Sequence, residues 1–217
     1  MRKIAIGLLG AAALATASAA QAAVITINLG VPSGPLGADQ DYNTSAGKVT
    51  ASGYSAPFVD QDLYGKNQGK NERGLGLSGS PENEIPSGGS AFIQLNVSDL
   101  FGSASAVDFF MNSSNAGEGW SVYGSNSDAA GFGTLLVTGT DEGSGHTHAL
   151  PDFGQFDFYN FYSTGTNGTT FGNVLIGGLT LTEAVPEPAT WALMLMGFGA
   201  IGWQLRRRSR PVLAQAA

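Results

Sequence analysis

The fold is indicated most clearly by one stretch of the 217-residue chain, Ala91-Phe92-Ile93-Gln94-Leu95-Asn96-Val97. Apolar, aromatic and β-branched side chains dominate it, and a segment rich in glycine, serine and proline precedes it, which is typical of a β-strand. Similar short runs recur on both sides of this stretch. We predict further strands at residues 24–29, 48–54, 106–111, 119–123, 134–138, 155–162 and 173–182.

The segments between these strands have the composition of turns. The chain contains 32 glycines, and serine, threonine and asparagine are frequent. Residues 32–43 are predicted to form a loop, residues 55–71 give no clear signal, and no amphipathic helix pattern occurs before Ala189. Eight or nine strands in roughly 160 residues predict an all-β domain, an antiparallel, jelly-roll-like β-sandwich over residues 23–184.

The first 22 residues have the features of a secretory signal peptide. Met1-Arg2-Lys3 is a short basic segment, residues 4–15 are apolar, and Ala20-Gln21-Ala22 matches an A-x-A cleavage site. We predict export through the Sec translocon and cleavage after Ala22.

Most of the negative charge lies between the two ends of the chain. Of the ten Lys and Arg residues, residues 23–184 keep four, whereas they hold 16 of the 17 Asp and Glu residues; their net charge is therefore 4 − 16, or about −12. Such a surface repels nucleic acid and anionic lipid, so we exclude nucleic-acid binding. The chain has no cysteine, which excludes a disulfide framework, thiol catalysis and cysteine-bound zinc.

Three features follow one another in the last part of the chain. Pro186-Glu187-Pro188 is rigid and extended, and the apolar residues 189–205 would span roughly 25 Å as a helix, the short end of what crosses a bilayer. A basic cluster comes next and should stay on the cytoplasmic side. Its members are Arg206, Arg207, Arg208 and Arg210. We predict a transmembrane helix within residues 185–210 and a short tail at 211–217.

This order of features, together with Trp191 and Ala192, resembles the PEP-CTERM sorting signal in its PEPxxWA form. The resemblance implies an exported protein of a Gram-negative bacterium that makes exopolysaccharide. It also implies transient tethering to the inner membrane through the C-terminal helix. An exosortase, an integral-membrane cysteine-dependent enzyme, then processes the tail, which leaves the protein at the cell surface or outside the cell. Residues 211–217 depart from the family pattern, in which the signal usually stops soon after the basic cluster.

Three internal segments also resemble those of PEP-CTERM β-sandwich proteins. They are Gly74-Leu75-Gly76-Leu77, Asn83-Glu84-Ile85 and the strand at residues 173–180. Pro86 stands where such proteins often have an aspartate.

Pairs of carboxylates recur at a spacing of two residues. They are Asp39 with Asp41, Asp60 with Asp62, and Glu82 with Glu84. In an extended chain such pairs project to one side and offer the oxygen ligands that calcium prefers. The sequence does not predict a specific cofactor. Calcium bound by Glu82 and Glu84 is the best candidate for a metal site, and the alternative is that these residues belong to a solvated acidic loop.

His146 and His148 are the two histidines, and Asp152 is the nearest third group for a zinc site. The surrounding glycines and proline favour a structural role in a loop. A Ser/His/Asp triad could be drawn from this region, but no nucleophile elbow accompanies it.

Aromatic residues are numerous enough for a sugar-stacking surface, although a core role is favoured for them. They are Trp120, Tyr123, Phe156, Phe158, Tyr159, Phe161 and Tyr162. We therefore predict a non-catalytic protein of the cell surface or of the exopolysaccharide or biofilm matrix. The alternatives are a secreted hydrolase that acts on polysaccharide and a calcium-dependent carbohydrate-binding module.

Overall fold

The structure, a computed structural model, describes residues 21–55, 58–69, 72–88, 91–112, 118–128, 132–140, 146–166, 172–185 and 188–208. Residues Ala22–Ala184 form one compact unit, and the segment from Val185 belongs to another. Ala20 and most of the predicted signal peptide lie outside the described residues, as does the tail at 211–217.

Within these residues, the first unit contains two sheets. The first sheet consists of β1 (Val24–Asn28), β2 (Gly34–Gly37), β6 (Leu63–Gln68), β7 (Glu72–Leu77), β8 (Ile85–Pro86), β10 (Ala104–Asn112), β13 (His148–Ala149) and β15 (Asn173–Glu183). The second consists of β3 (Asp39–Thr44), β4 (Gly47–Ser55), β5 (Val59–Asp60), β9 (Phe92–Asn96), β11 (Glu118–Ser125), β12 (Thr134–Thr140) and β14 (Phe158–Thr166).

The order of the strands is β13-β10-β15-β7-β6-β2 in the first sheet and β12-β11-β14-β9-β4-β3 in the second. β1 and β8 also pair with β15, and β5 pairs with β4. The ladders between these strands are antiparallel, which confirms the all-β prediction. The narrower jelly-roll assignment stays a prediction.

Side chains from both sheets share one core. Phe109 of β10 in the first sheet lies 5.3 Å from Trp120 and 5.4 Å from Phe161 of the second, measured between ring centroids. All three side chains are buried. Edge-to-face aromatic pairs of this kind contribute roughly 0.5–1.5 kcal/mol beyond the burial of their area. The two sheets therefore pack against each other through an aromatic centre.

The loop predicted at residues 32–43 is wrong, because β2 and most of β3 lie there. Proline and glycine suggested a loop. However, β2 is an edge strand of the first sheet, and proline is tolerated in an edge strand because one side of its backbone has no partner strand. β3 is the last strand of the second sheet and carries Asp39 and Asp41 on one face. Their carboxylates accept hydrogen bonds from hydroxyl groups of the neighbouring β4, which is a pairing that a local sequence pattern does not reveal.

Other strands differ from the predictions in extent or in partner. β14 begins three residues later than predicted and continues to Thr166. The region that gave no clear signal contains β5 and β6. β10 and β11, which are close in sequence, lie in different sheets. Successive strands of the sequence therefore belong to different sheets at this point.

The three internal segments that resemble PEP-CTERM sandwich proteins meet on β15. Leu75 of β7 pairs with Ile176, and Ile85 of β8 pairs with Val174. Both glycines of β7 are required by these close approaches, because a Cβ on Gly74 would lie 2.6 Å from the carbonyl oxygen of Ile176, and a Cβ on Gly76 would lie 2.1 Å from that of Asn83. The Gly-Leu-Gly-Leu motif therefore allows a neighbouring segment to pack directly on the backbone.

We expect Gly76→Ala to lower the unfolding free energy of the sandwich by about 1–3 kcal/mol, since the added methyl group must displace backbone. Denaturant unfolding followed by tryptophan fluorescence measures the change. Gly197→Ala is the matched control, because Gly197 has open space around its Cβ position. Equal stability of the Gly76→Ala variant and the wild type would contradict the packing role of Gly76.

Candidate functional site

The C-terminal segment forms helix α1 (Pro188–Arg208). The structure thus has a helix at the predicted residues 189–205, which extends by a few residues, whereas its membrane-spanning character stays a prediction. Pro188 suits the first position of the helix, because its ring fixes a helical φ. Proline also lacks the backbone N–H group that would have no hydrogen-bond partner in the first turn. The arginines of the last turn complement the negative end of the helix dipole. Pro186, Glu187 and Arg210 of the predicted sorting signal lie outside the described residues.

Helix α1 carries apolar side chains around its circumference. Leu195, Met196, Phe198 and Trp203 are each more than half exposed. The Arg207 guanidinium lies over the Trp203 ring, 4.2 Å from its centroid, which is a cation–π contact at the basic end. Among the described residues, no helix has both the length and the apolar character that a membrane crossing requires.

The acidic pairs of β3 and β5 differ in their surroundings. Asp41 accepts hydrogen bonds from the Thr50 hydroxyl at 2.6 Å and from Lys48 Nζ at 3.3 Å. The Thr50 hydrogen bond and the nearby Lys48 charge lower the pKa of Asp41 below its usual value. Asp60 and Asp62 are exposed. Asp39 and Asp41 do share one face of a strand, as the spacing predicted.

Glu82 and Glu84 do not form the extended pair that their spacing suggested. Glu82 and Asn83 have left-handed backbone, with φ of +58° and +56°, in a short 3-10 turn. Glu82 is exposed, whereas Glu84 is only 1% exposed and its Oε1 atom lies 2.6 Å from Lys66 Nζ. Among the described residues, no three His, Cys, Asp or Glu side chains are grouped to hold a metal ion. Calcium binding at Glu82 and Glu84 stays a prediction.

Lys66 is the centre of a buried ionic cluster. Its side chain is 8% exposed and contacts the carboxylates of both Glu72 and Glu84. An open cleft of about 330 Å³ adjoins the cluster. Polar side chains line it: Tyr64, Lys66, Gln68, Glu72, Glu82 and Asn83.

Burial and charge act against each other on this cluster. Burial raises the pKa of Glu84 to about 7, although the Lys66 ammonium opposes the change, and the carboxylates of Glu72 and Glu82 add to it. Burial disfavours the charged form of Lys66, but its hydrogen bonds to Glu72 and Glu84 raise its pKa above the usual value. Glu84 therefore titrates near neutral pH.

The two histidines occupy different positions. His148 lies in β13, and its ring centroid is 4.9 Å from that of Trp120 and 5.4 Å from that of Phe109. His146 is exposed in the preceding segment. Asp152 stands in a turn with φ of +51°. His148 thus packs beside the aromatic core and lies in a strand, so the loop predicted from the surrounding glycines and proline is wrong for it, and its structural role stays a prediction.

The aromatic residues predicted as a possible sugar-binding surface divide between the two faces of the second sheet. Trp120, Tyr159 and Phe161 point into the core and are buried there. Tyr162 belongs to a separate cluster on the outer face, with Tyr123 packed against it. Phe156 is partly buried against the core. The core role is therefore correct for Trp120, Tyr159 and Phe161 and in part for Phe156, and Phe158 is half-buried and belongs to neither cluster. Tyr123 and Tyr162 join a second group.

This second group, which we call the outer aromatic cluster, consists of Tyr54, Phe58, Phe92, Tyr123, Phe132 and Tyr162. Phe92 lies at its base, stacked between Tyr54 at 5.0 Å and Tyr162 at 4.9 Å. Phe132 covers Tyr162, with the ring centroids 4.1 Å apart. Phe58 and Phe132 remain 40% and 38% exposed. The cluster thus has a buried floor and an exposed aromatic rim.

Polar groups accompany the outer aromatic cluster. Gln94 and Asn160 are buried beside it, and Gln94 Nε2 donates a hydrogen bond of 2.8 Å to Asn160 Oδ1. The hydroxyl of Tyr54 donates to Asp128 at 3.2 Å. The Tyr162 hydroxyl is buried and has no hydrogen-bond partner among the described residues. These polar groups lie below the rim, so the surface that a ligand meets consists of the exposed aromatic rings, which suit a ligand that has apolar faces.

Sequence reasoning missed four members of this cluster. Phe58 and Phe132 stand in loop segments without a strand pattern. Tyr54 and Phe92 were predicted to lie in strands, but the sheet face on which their side chains lie was not predicted. The alternation within the two strands carries the missing signal, because it separates Phe92 from Ile93 and Tyr54 from Gly53. Only the pairing of β4, β9 and β14 shows that these rings meet.

The Glu84 cluster makes stability depend on pH. The pKa is about 7 in the folded protein against 4.5 for the ordinary carboxyl group. The folded state therefore binds this proton more tightly, and the contribution of Glu84 to the unfolding free energy falls as pH rises from about 4.5 to about 7. The unfolding free energy of the wild type should fall by an amount on the order of 1–3 kcal/mol over this range because of Glu84, and in Glu84→Gln this fall should be absent. Denaturant unfolding at stepped pH measures it.

Asp60 on β5 supplies the control, because Asp60→Asn removes an exposed carboxylate of the other sheet and should leave the Glu84-dependent fall in place. A Glu84 contribution that rises with pH instead would mean that attraction to Lys66 outweighs burial.

Comparison with known proteins identifies the C-terminal segment. Residues 184–208 match the family model of the PEP-CTERM protein-sorting motif. No curated protein and no solved structure matches the chain. The matched residues include Pro186-Glu187-Pro188, Trp191 and helix α1, which confirms the resemblance stated from the sequence. The chain therefore carries a PEP-CTERM sorting motif, which marks it as an exported protein that is sorted by an exosortase.

Proposed function

We propose that this protein is a non-catalytic component of the extracellular polysaccharide matrix, delivered by its sorting motif. In this proposal helix α1 tethers the exported chain to the inner membrane until the exosortase removes it. The β-sandwich then contacts polysaccharide through the outer aromatic cluster. The exposed rim of this cluster, Phe58 and Phe132 above a stacked floor, is the observation that carries the carbohydrate part of the proposal.

The charge of the sandwich narrows the class of polysaccharide. A net charge of about −12 on residues 23–184 opposes an acidic polymer. Ring stacking needs no charge, and sugar rings present apolar C–H faces to aromatic side chains. We therefore propose a neutral polysaccharide, or neutral stretches of one. Because contacts of this type are not ionic, binding should change little between low and physiological salt.

Processing of the tail is the first expected outcome. The mature protein should lack residues 1–22 and everything beyond the region of Pro186–Pro188. Intact mass spectrometry of the protein exported by the host measures both ends. In a host without exosortase, the mass should include Arg206–Arg208. Retention of these arginines in the host with active exosortase would leave a plain anchor in place of a processed signal.

Binding to polysaccharide is the second expected outcome. The exported protein should co-sediment with neutral exopolysaccharide from its host without shortening it. Phe132→Ala should weaken binding by about 1–3 kcal/mol, the range measured for stacking of nucleic-acid bases on aromatic side chains, or roughly 5- to 150-fold. Val24→Ala is the control, since Val24 is exposed on β1 of the other sheet. Thermal unfolding of each variant checks that the fold is intact.

Two outcomes would replace this proposal. New reducing ends that disappear when a single carboxylate is replaced would indicate a hydrolase. Binding that requires calcium and is lost with a chelator would indicate the calcium-dependent module. If the protein neither binds nor cleaves the polymer, the carbohydrate part of the proposal fails, while the sorting part still stands on the matched motif.

A further inference from the structure

Lys66 is held between two carboxylates inside the sandwich. It lies on β6, and its ammonium contacts the carboxylate of Glu72 on β7, the strand that pairs with β6. Glu84, just before β8, approaches the same ammonium, with 2.6 Å between its Oε1 atom and Lys66 Nζ. Lys66 is 8% exposed and Glu84 is 1% exposed. An amine and two carboxyl groups therefore meet in a defined arrangement within the domain.

Burial makes the ionic form of this cluster costly. Removing charged groups from water is penalised, and the attraction within a buried pair often fails to offset the penalty. The Lys48–Asp41 pair on the second sheet is different, because its side chains are 43% and 49% exposed and water stabilises both charges. An amide between Lys66 and a carboxylate would carry no charge, so its formation would remove two buried charges at once.

We propose that Lys66 and Glu72 join in an isopeptide bond between β6 and β7, and that Glu84 moves the protons for this step. Nζ of Lys66 bonds to Cδ of Glu72, and one Cδ–O bond of Glu72 breaks. Lys66 loses two protons, which pass by way of Glu84 to the departing oxygen, and this oxygen leaves as water. Glu84 ends as the carboxylate that it was at the start. No oxidant or further reactant takes part, because the condensation changes no oxidation state.

The surroundings of the two carboxyl groups assign their roles. Burial raises the pKa of Glu84 to about 7, so this group gains and loses a proton readily near neutral pH, as a general acid and base must. The Glu72 side chain is 27% exposed and lines the open cleft, through which the water can leave. Burial disfavours the charged form of Lys66, while its hydrogen bonds to both carboxylates raise its pKa overall. The same hydrogen bonds are the path by which its protons leave.

The bond would fasten a part of the first sheet that lies near an edge. β6 pairs with β7 on one side and with the edge strand β2 on the other. Local opening of a domain begins at such weakly held positions. The chain has no cysteine and therefore no disulfide with which to close them. A covalent link from residue 66 to residue 72 supplies this function without a thiol.

Mass spectrometry of the exported wild-type protein in denaturant tests the proposal, because an ion pair separates there and an amide does not. Once both termini are assigned, the intact mass should be lower than that of the linear chain by about 18 Da, the mass of one water. Trypsin cuts after unmodified lysine and arginine. It should therefore fail to cut after Lys66 and release residues 49–70 joined to residues 71–73. Exposed Lys48 is the internal control, since trypsin should cut after it.

Three variants separate the roles of the residues. Lys66→Arg keeps the positive charge but forms no such amide, so it should have the full mass of its chain. Glu84→Gln keeps the shape of the side chain but carries no proton at neutral pH, and its cross-linked fraction in freshly purified protein should fall at least about tenfold. Lys48→Arg should keep the mass loss.

The wild-type measurement decides the proposal however well the variants fold. A wild-type protein with the full mass of its chain, cut by trypsin after Lys66, would overturn it. A link from Lys66 to the peptide that contains Glu84 would overturn the roles given to the two carboxylates. An undiminished cross-linked fraction in Glu84→Gln would overturn the proton transfer through Glu84.

Discussion

The first sheet depends on the pairing of β15 along both of its edges. One edge is occupied by β10, and β1, β7 and β8 share the other. Two glycines in the middle of the strand make this possible. A Cβ on Gly177 would lie 2.4 Å from the Phe110 ring, and one on Gly178 would lie 2.2 Å from the carbonyl oxygen of Ile27. β15 is therefore both the most paired strand and the one with least freedom to change.

The second sheet serves a different purpose on each face. In β14, Tyr159 and Phe161 belong to the core that both sheets share, whereas Asn160 and Tyr162 lie on the outer face. The outer rings would expose a large apolar area if they stood alone, but Phe58 and Phe132 cover most of it. The binding surface that we propose is thus built from a rigid sheet floor and two rings supplied by connecting segments, an arrangement typical of recognition sites.

Local patterns in the sequence predicted the strands with a buried face and the class of the fold. β9, β10 and β15 were found because runs of apolar residues mark them directly, and β4 was indicated by a loose alternation of apolar and polar residues. β2 and β3 were missed because proline, glycine and aspartate dominate them, and sheet edges tolerate these residues. The Lys66 cluster could not be predicted, since Glu84 is separated from Lys66 by 18 positions and only the fold brings them together. The sorting motif could be recognised without knowledge of the fold, because the order of its three features along the chain identifies it.

The position of β15 in the chain also sets when the domain can finish folding. For export from the N-terminal end, as the first 22 residues predict, β1, β7 and β10 would leave the membrane before the strand that joins them. Completion of the first sheet would then require residue 183, and the matched sorting motif begins at residue 184. The last strand of the sandwich is thus directly followed by the sorting motif.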